Sequence, residues 1–212
     1  MSKHYQRFLS ALILCSTFGT ANAVSANLLV NGSFEEPYIG YQTIGGGNSL
    51  AITGWTTILN GVEIFDATSY GGAADGKVVI DLANYTYTGG GIEQTFATTA
   101  GQQYDLTFWL GNLLASGRDG TGVVKVSVAG GNYIFNTPAA TTALLTWEKQ
   151  QLSFTAQGAS TTLSFSNDQN ANLHFANVDA VSVTAVPEPE TYAMLLAGLG
   201  LMGGVARRNK RK

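Results

Sequence analysis

The chain has a single cysteine in 212 residues, Cys15, close to the N-terminus. Neither disulfides nor thiolate chemistry is therefore available to the rest of the protein. Histidine is nearly as scarce. Beyond His4 there is only His174, and a lone histidine between Leu173 and Phe175 reads as a structural residue in a strand. Cations are few as well. Residues 24–186 hold Lys77, Arg118, Lys125 and Lys149 against twelve acids, a net charge of −8 that the whole-chain value of −3 conceals. Such a surface repels phosphate backbones, which excludes nucleic acid as a partner. Lys, Arg and Glu are too rare here for a helical bundle. No Gly-x-Ser-x-Gly elbow, His-Glu-x-x-His or phosphate loop occurs, so a non-catalytic role is expected.

What the chain does have begins at its ends. Lys3, His4 and Arg7 precede the apolar run Phe8 to Leu14, and small residues follow as far as Ala21-Asn22-Ala23. This is the pattern of a secretory signal peptide, residues 1–23, with cleavage after Ala23 or alternatively after Ala26. Cys15 follows Leu14, where lipidation would need a small residue. The other end runs from Pro187-Glu188-Pro189 through the apolar stretch Tyr192 to Ala206 into Arg207, Arg208, Lys210, Arg211 and Lys212. As a helix the apolar stretch spans about 22 Å, short of the roughly 30 Å of a bilayer core. The basic end is expected to stay cytoplasmic. This tail, residues 187–212, resembles the PEP-CTERM sorting signal of exported proteins in Gram-negative bacteria that make extracellular polysaccharide. The resemblance implies a short transmembrane helix in transient contact with the inner membrane, recognition and cutting by an exosortase, and a final place at the cell surface or in the extracellular matrix.

Between the ends, residues 24–186 read as one all-β domain. Tyr104, Leu106, Phe108 and Leu110 alternate with Asp105, Thr107 and Trp109. Val124, Val126 and Val128 alternate with Lys125 and Ser127, Leu163 and Phe165 with Ser164, and Val181 and Val183 with Ser182. Period-two alternation marks strands with one buried face. Gly89-Gly90-Gly91, Ala129-Gly130-Gly131-Asn132 and Gln157-Gly158-Ala159 are expected turns between them. Nine or ten short strands without a helical stretch indicate a β-sandwich, a jelly roll.

Several segments in order carry a second resemblance: Asn27 to Glu35, Gly54-Trp55, Gly76 to Leu82, Gly91 to Phe96, Gly101 to Phe108 and Val178 to Val183. They look like the galactose-binding-like jelly rolls, close to the plant cell-wall domain family of unknown function and, more distantly, carbohydrate-binding modules. Those modules imply a structural calcium held at the positions of Glu35 and Asp179. Asp179 has the strand parity of Val181 and Val183 and is expected to point inward, meeting either a metal or backbone amides.

Sugars are held by aromatic faces with a few amides and carboxylates. Trp109, on the polar face with Asp105, is either a binding platform or covered by a loop. Tyr85 and Tyr87, beside Asn84, are candidates on a Gly-rich loop, whereas Trp55 and Trp147 read as packing. Asp66, Asp75 and Asp81 could supply paired carboxylates. The leading expectation is a surface or matrix protein binding polysaccharide. The alternatives are a matrix or floc component acting by self-association and calcium bridging, and a glycoside hydrolase or lyase, which needs two carboxylates facing one groove.

Overall fold

The computed structural model of the chain describes residues 26–38, 40–83, 89–167, 174–187 and 189–209. The signal segment 1–23 lies outside them. Among the described residues, eleven strands form two antiparallel sheets. In chain order they are β1 (Gln42–Ile44), β2 (Thr56–Leu59), β3 (Val62–Asp66), β4 (Val78–Asp81), β5 (Gly90–Ala97), β6 (Gln103–Asn112), β7 (Val123–Val128), β8 (Gly131–Asn136), β9 (Thr146–Thr155), β10 (Ser160–Asn167) and β11 (Asn177–Ala185). One sheet has the order β1-β3-β4-β11-β6-β9 and the other β2-β5-β10-β7-β8. This is the expected sandwich, with the jelly-roll crossings.

The alternating residues become the filling. Leu106, Phe108 and Leu110 from β6 meet Val124 and Val126 from β7 and Leu163 and Phe165 from β10, all fully buried. Phe108 packs edge-on against both Phe165 and Phe135, with centroids 5.0 and 5.1 Å away. Burying each such ring contributes about 2–3 kcal/mol. Trp55 fills the same core. Its Nε1 donates to the Asn31 carbonyl at 3.0 Å and its ring tilts against Phe34 at 5.2 Å. Trp147 packs elsewhere, on the outer face of the six-stranded sheet. There Ala67, Val79, Leu113 and Leu145 form a second, smaller apolar cluster. Its Nε1 is tied to the Gly72 carbonyl at 3.0 Å.

The hairpin between β7 and β8 turns through Ala129 and Gly130 alone, both at positive φ, as a two-residue loop requires. The glycine run 89–91 behaves otherwise than expected. Gly90 and Gly91 are not a turn but the start of β5. A Cβ on Gly91 would meet the Phe165 carbonyl at 2.7 Å and Ile58 at 2.8 Å, so close strand approach, not bending, is what needs glycine there.

The tail forms helix α1 (Pro189–Asn209), 21 residues or about 31 Å long. Its Leu196, Leu199, Leu201 and Met202 are exposed. Among the described residues no helix is long and apolar enough to cross a membrane.

Candidate functional site

Strand register builds the site. Thr43 of β1, Glu63 of β3, Asp81 of β4 and Asn177 of β11 stand in one row across the six-stranded sheet. Their neighbours Ile64, Ile80 and Val178 point into the core, so this row faces the other way, onto the outer surface. Loops rise around it and leave a cavity of about 470 Å³.

Three carboxylates line the cavity, Glu63, Asp66 and Asp81, with the single guanidinium of Arg118. Glu63 is 7% exposed and Asp81 1%. Arg118 Nη1 lies 4.0 Å from Asp81 Oδ2, and its guanidinium sits 4.3 Å above the centre of the Phe175 ring. Asp81 Oδ1 accepts the Ala83 amide at 2.8 Å. Glu63 Oε1 and Asp81 Oδ2, both buried, accept no hydrogen bond from the described residues. Burial, reinforced by the neighbouring Asp81, pushes the Glu63 carboxyl up to about 7, against the pull of Arg118. Burial likewise raises Asp81 to about 6, although the Ala83 amide and Arg118 oppose it. Asp66 differs. Hydrogen bonds from Thr68 hold it below the usual carboxylate range, so it stays charged.

Aromatic rings wall the same space: Tyr38, Tyr41, Phe65, Tyr70 and Phe175. The Tyr38 hydroxyl is fixed by the Asp66 amide, which donates to it at 3.1 Å. Phe65 and Tyr70 meet edge to face at 5.5 Å. The loop that carries Arg118 is tied to Asn112, the buried last residue of β6. Its Nδ2 donates to the Gly120 carbonyl, Thr137 Oγ1 and the Pro138 carbonyl at 3.0 to 3.2 Å, while its Oδ1 accepts the Leu113 amide. One side chain thus fastens both ends of the 113–120 loop and the 137–138 turn.

Of the residues singled out from sequence, only Asp66 and Asp81 line this cavity. Trp109 and Asp105 lie on the same outer face of β6, half-buried and exposed, but are not among its lining residues. Trp109 stands between Lys149 of β9 and Asp179 of β11, and Asp105 accepts a hydrogen bond from Ser153 Oγ at 2.6 Å. Asn84, Tyr85, Tyr87 and Glu188 lie outside the described residues. Pro187 is exposed beyond β11, and Pro189 opens α1. His174 is not in a strand but precedes β11, where its Nδ1 meets the Asp119 carbonyl.

Asp179 corrects a parity argument. It is fully buried, yet its register partner is the outer-facing Trp109. A bulge between Asp179 and Ser182, with Ala180 at φ 49°, lets Val181 and Val183 return to the core. Asp179 is covered instead by the loop before β4. Its Oδ2 accepts the amides of Ala74 and Asp75 at 2.8 and 2.9 Å, and its Oδ1 that of Ala180 at 2.6 Å. Burial still raises it to about 7 despite those amides. Glu35 Oε1 accepts the amides of Lys77, at the end of the same loop, and Val78, the first residue of β4, at 2.8 and 2.7 Å. Amide hydrogens thus meet Glu35 Oε1 and both carboxylate oxygens of Asp179. Among the described residues no group of three His, Cys, Asp or Glu is placed to hold a metal ion.

The pocket residues absent from the sequence reading are Glu63, Arg118 and the aromatic wall. A signal existed in Glu63, a charge between Val62 and Ile64 in an apolar strand.

Known proteins place the fold. A carbohydrate-binding module, TmCBM61 solved with β-1,4-galactotriose, is 17% identical with a TM-score of 0.52, over 76% of this chain and all of that one. An arabinose-bound α-L-arabinofuranosidase matches at 16% identity and TM-score 0.50, over 76% of this chain but 26% of that one. The xylan-binding domain of Xyn10C from Paenibacillus barcinonensis is a looser match, at 19% identity and TM-score 0.47, over 77% and 97%. No curated protein matches the chain. Residues 185–212 match the PEP-CTERM protein-sorting motif. Residues 27–183 match the family described as "Protein of unknown function (DUF642)", and the chain belongs to that family.

Proposed function

We propose that this is an exported, non-catalytic protein that binds polysaccharide in the cavity over Glu63 and Asp81 and is cut at its C-terminal tail by an exosortase. The observation that carries the binding reading is the pair of buried carboxylate oxygens, Glu63 Oε1 and Asp81 Oδ2, that accept no hydrogen bond from the described residues inside an aromatic-walled pocket. A buried acceptor without a donor is costly, and sugar hydroxyls or amines are donors on a body that stacks against rings. The sorting motif supports export, and the fold shared with a module solved with β-1,4-galactotriose supports a sugar as the ligand. Transient contact of the tail with the inner membrane before cutting, and residence at the surface or in the matrix, complete the reading. A glycan array with the purified protein is the test. Binding to one glycan class is expected, and binding to none removes the proposal.

One observation favours a second reading. Glu63 and Asp81 are two carboxylates in one pocket, as a glycoside hydrolase requires. Their arrangement argues for the first. They are direct cross-strand partners on the sheet floor, side by side, whereas a hydrolase sets its carboxyls on either side of the bond. Appearance of new reducing ends when the bound polysaccharide is incubated with the protein would reverse this choice.

A further inference from the structure

The charge of the pocket selects among sugars. Its ionisable lining groups, among the described residues, are Glu63, Asp66, Asp81, Arg118 and the phenols of Tyr38, Tyr41 and Tyr70. Three carboxylates thus face one guanidinium, which already sits over Phe175 and beside Asp81. A uronic acid or sulfated sugar would add negative charge to a space where acidic groups already outnumber the one cation. A neutral sugar would give hydroxyl hydrogens to Glu63 Oε1 and Asp81 Oδ2 but leave the surplus charge desolvated. A cation supplies both needs at once, with three donors and a compensating charge. The rings add to this, since aromatic faces attract cations once water is excluded. The cavity, at about 470 Å³, holds far more than an ammonium group and is of the size that small ligands fill.

Resting on the polysaccharide-binding reading above, we propose that the pocket takes a hexosamine residue with a free amino group, its ammonium against Glu63 and Asp81 and its ring against the tyrosines. The ligand class is therefore a partly or fully de-N-acetylated amino-sugar polymer. Asp66 keeps a negative charge in the pocket even when a buried neighbour takes up a proton.

Calorimetric titration of the purified protein at neutral pH and low salt tests this with four probes: a glucosamine oligomer, its fully N-acetylated counterpart, a β-1,4-galacto-oligosaccharide and a lysine peptide of equal charge. The glucosamine oligomer is expected to bind at least about tenfold more tightly than each of the others. Glu63→Gln should weaken it by roughly 10- to 100-fold without lowering Tm. Tyr41→Ala, at the exposed rim, should weaken it by about threefold and leaves the floor intact. Equal binding of the acetylated or galacto-oligosaccharide overturns the inference but spares the polysaccharide reading. Equal binding of the lysine peptide, or an unaffected Glu63→Gln variant, overturns it too. Silence with every sugar overturns the inference, and silence on the glycan array as well overturns both.

Discussion

Glu63 occupies a position in β3 where its neighbours Val62 and Ile64 are wholly apolar, and its own burial pushes its proton affinity up to about 7. Asp81 and Asp179 are raised as well, to about 6 and about 7. Each group binds its proton more tightly folded than unfolded, so its contribution is complete below the unfolded carboxylate range and is lost as pH rises through about 6 to 7. Thermal unfolding across that range is expected to give a higher Tm at about pH 5 than at about pH 8. Glu63→Gln should flatten the profile and raise stability at the alkaline end by about 1–3 kcal/mol. A profile rising toward alkaline pH would show that these carboxyls are not held as described. A variant that gains stability and loses ligand is the mark of a residue kept for binding rather than for folding. In the sequence Glu63 was legible only as an anomaly, a charge in an apolar run. Nothing in its spacing showed that Asp81, eighteen positions on, would stand opposite it. Only strand register does that.

At the scale of elements, β6 was readable almost whole, because its alternation is unbroken from Tyr104 to Leu110. β11 was not. Its valines promised a single parity, but the bulge at Ala180 inserts a residue and turns Asp179 to the outer face. A bulge is invisible to a period-two count, since residues on either side of it still alternate. The loop of residues 113–120, which brings Arg118 to the pocket, likewise has no periodic signature. Asn112 holds it. Asn112→Ala removes donors to three acceptors in and around that loop, and is expected to cost about 2–3 kcal/mol in urea denaturation. It should also weaken whatever ligand the pocket takes, because Arg118 loses its fixed place. Destabilisation below about 0.5 kcal/mol would mean that the loop is held by other contacts.

For the whole molecule, the two sheets share one core, and the six-stranded sheet carries both the pocket and the amide-bound Asp179 on its outer face. Because backbone amides meet Glu35 and Asp179, excess chelator is expected to move Tm by less than about 1 °C. A fall of about 5 °C or more would establish the structural calcium implied by related modules. Calcium-dependent growth in light scattering would favour the calcium-bridged matrix component. Sandwich and sorting tail were the parts most legible from sequence, since both rest on local patterns, alternation in one case and the order of motif, apolar run and basic end in the other. The pocket was least legible because it is assembled from segments that meet only in three dimensions. Its floor adjoins Asn177, where β11 begins, whereas the tail leaves from Ala185 at the strand's far end, about 27 Å away. β11 is a central strand, flanked by β4 and β6. Tension applied between a pocket-bound polymer and the tail would therefore run lengthwise through β11. The ladder to β6 lies across that direction, so its hydrogen bonds share the load in shear instead of opening one after another.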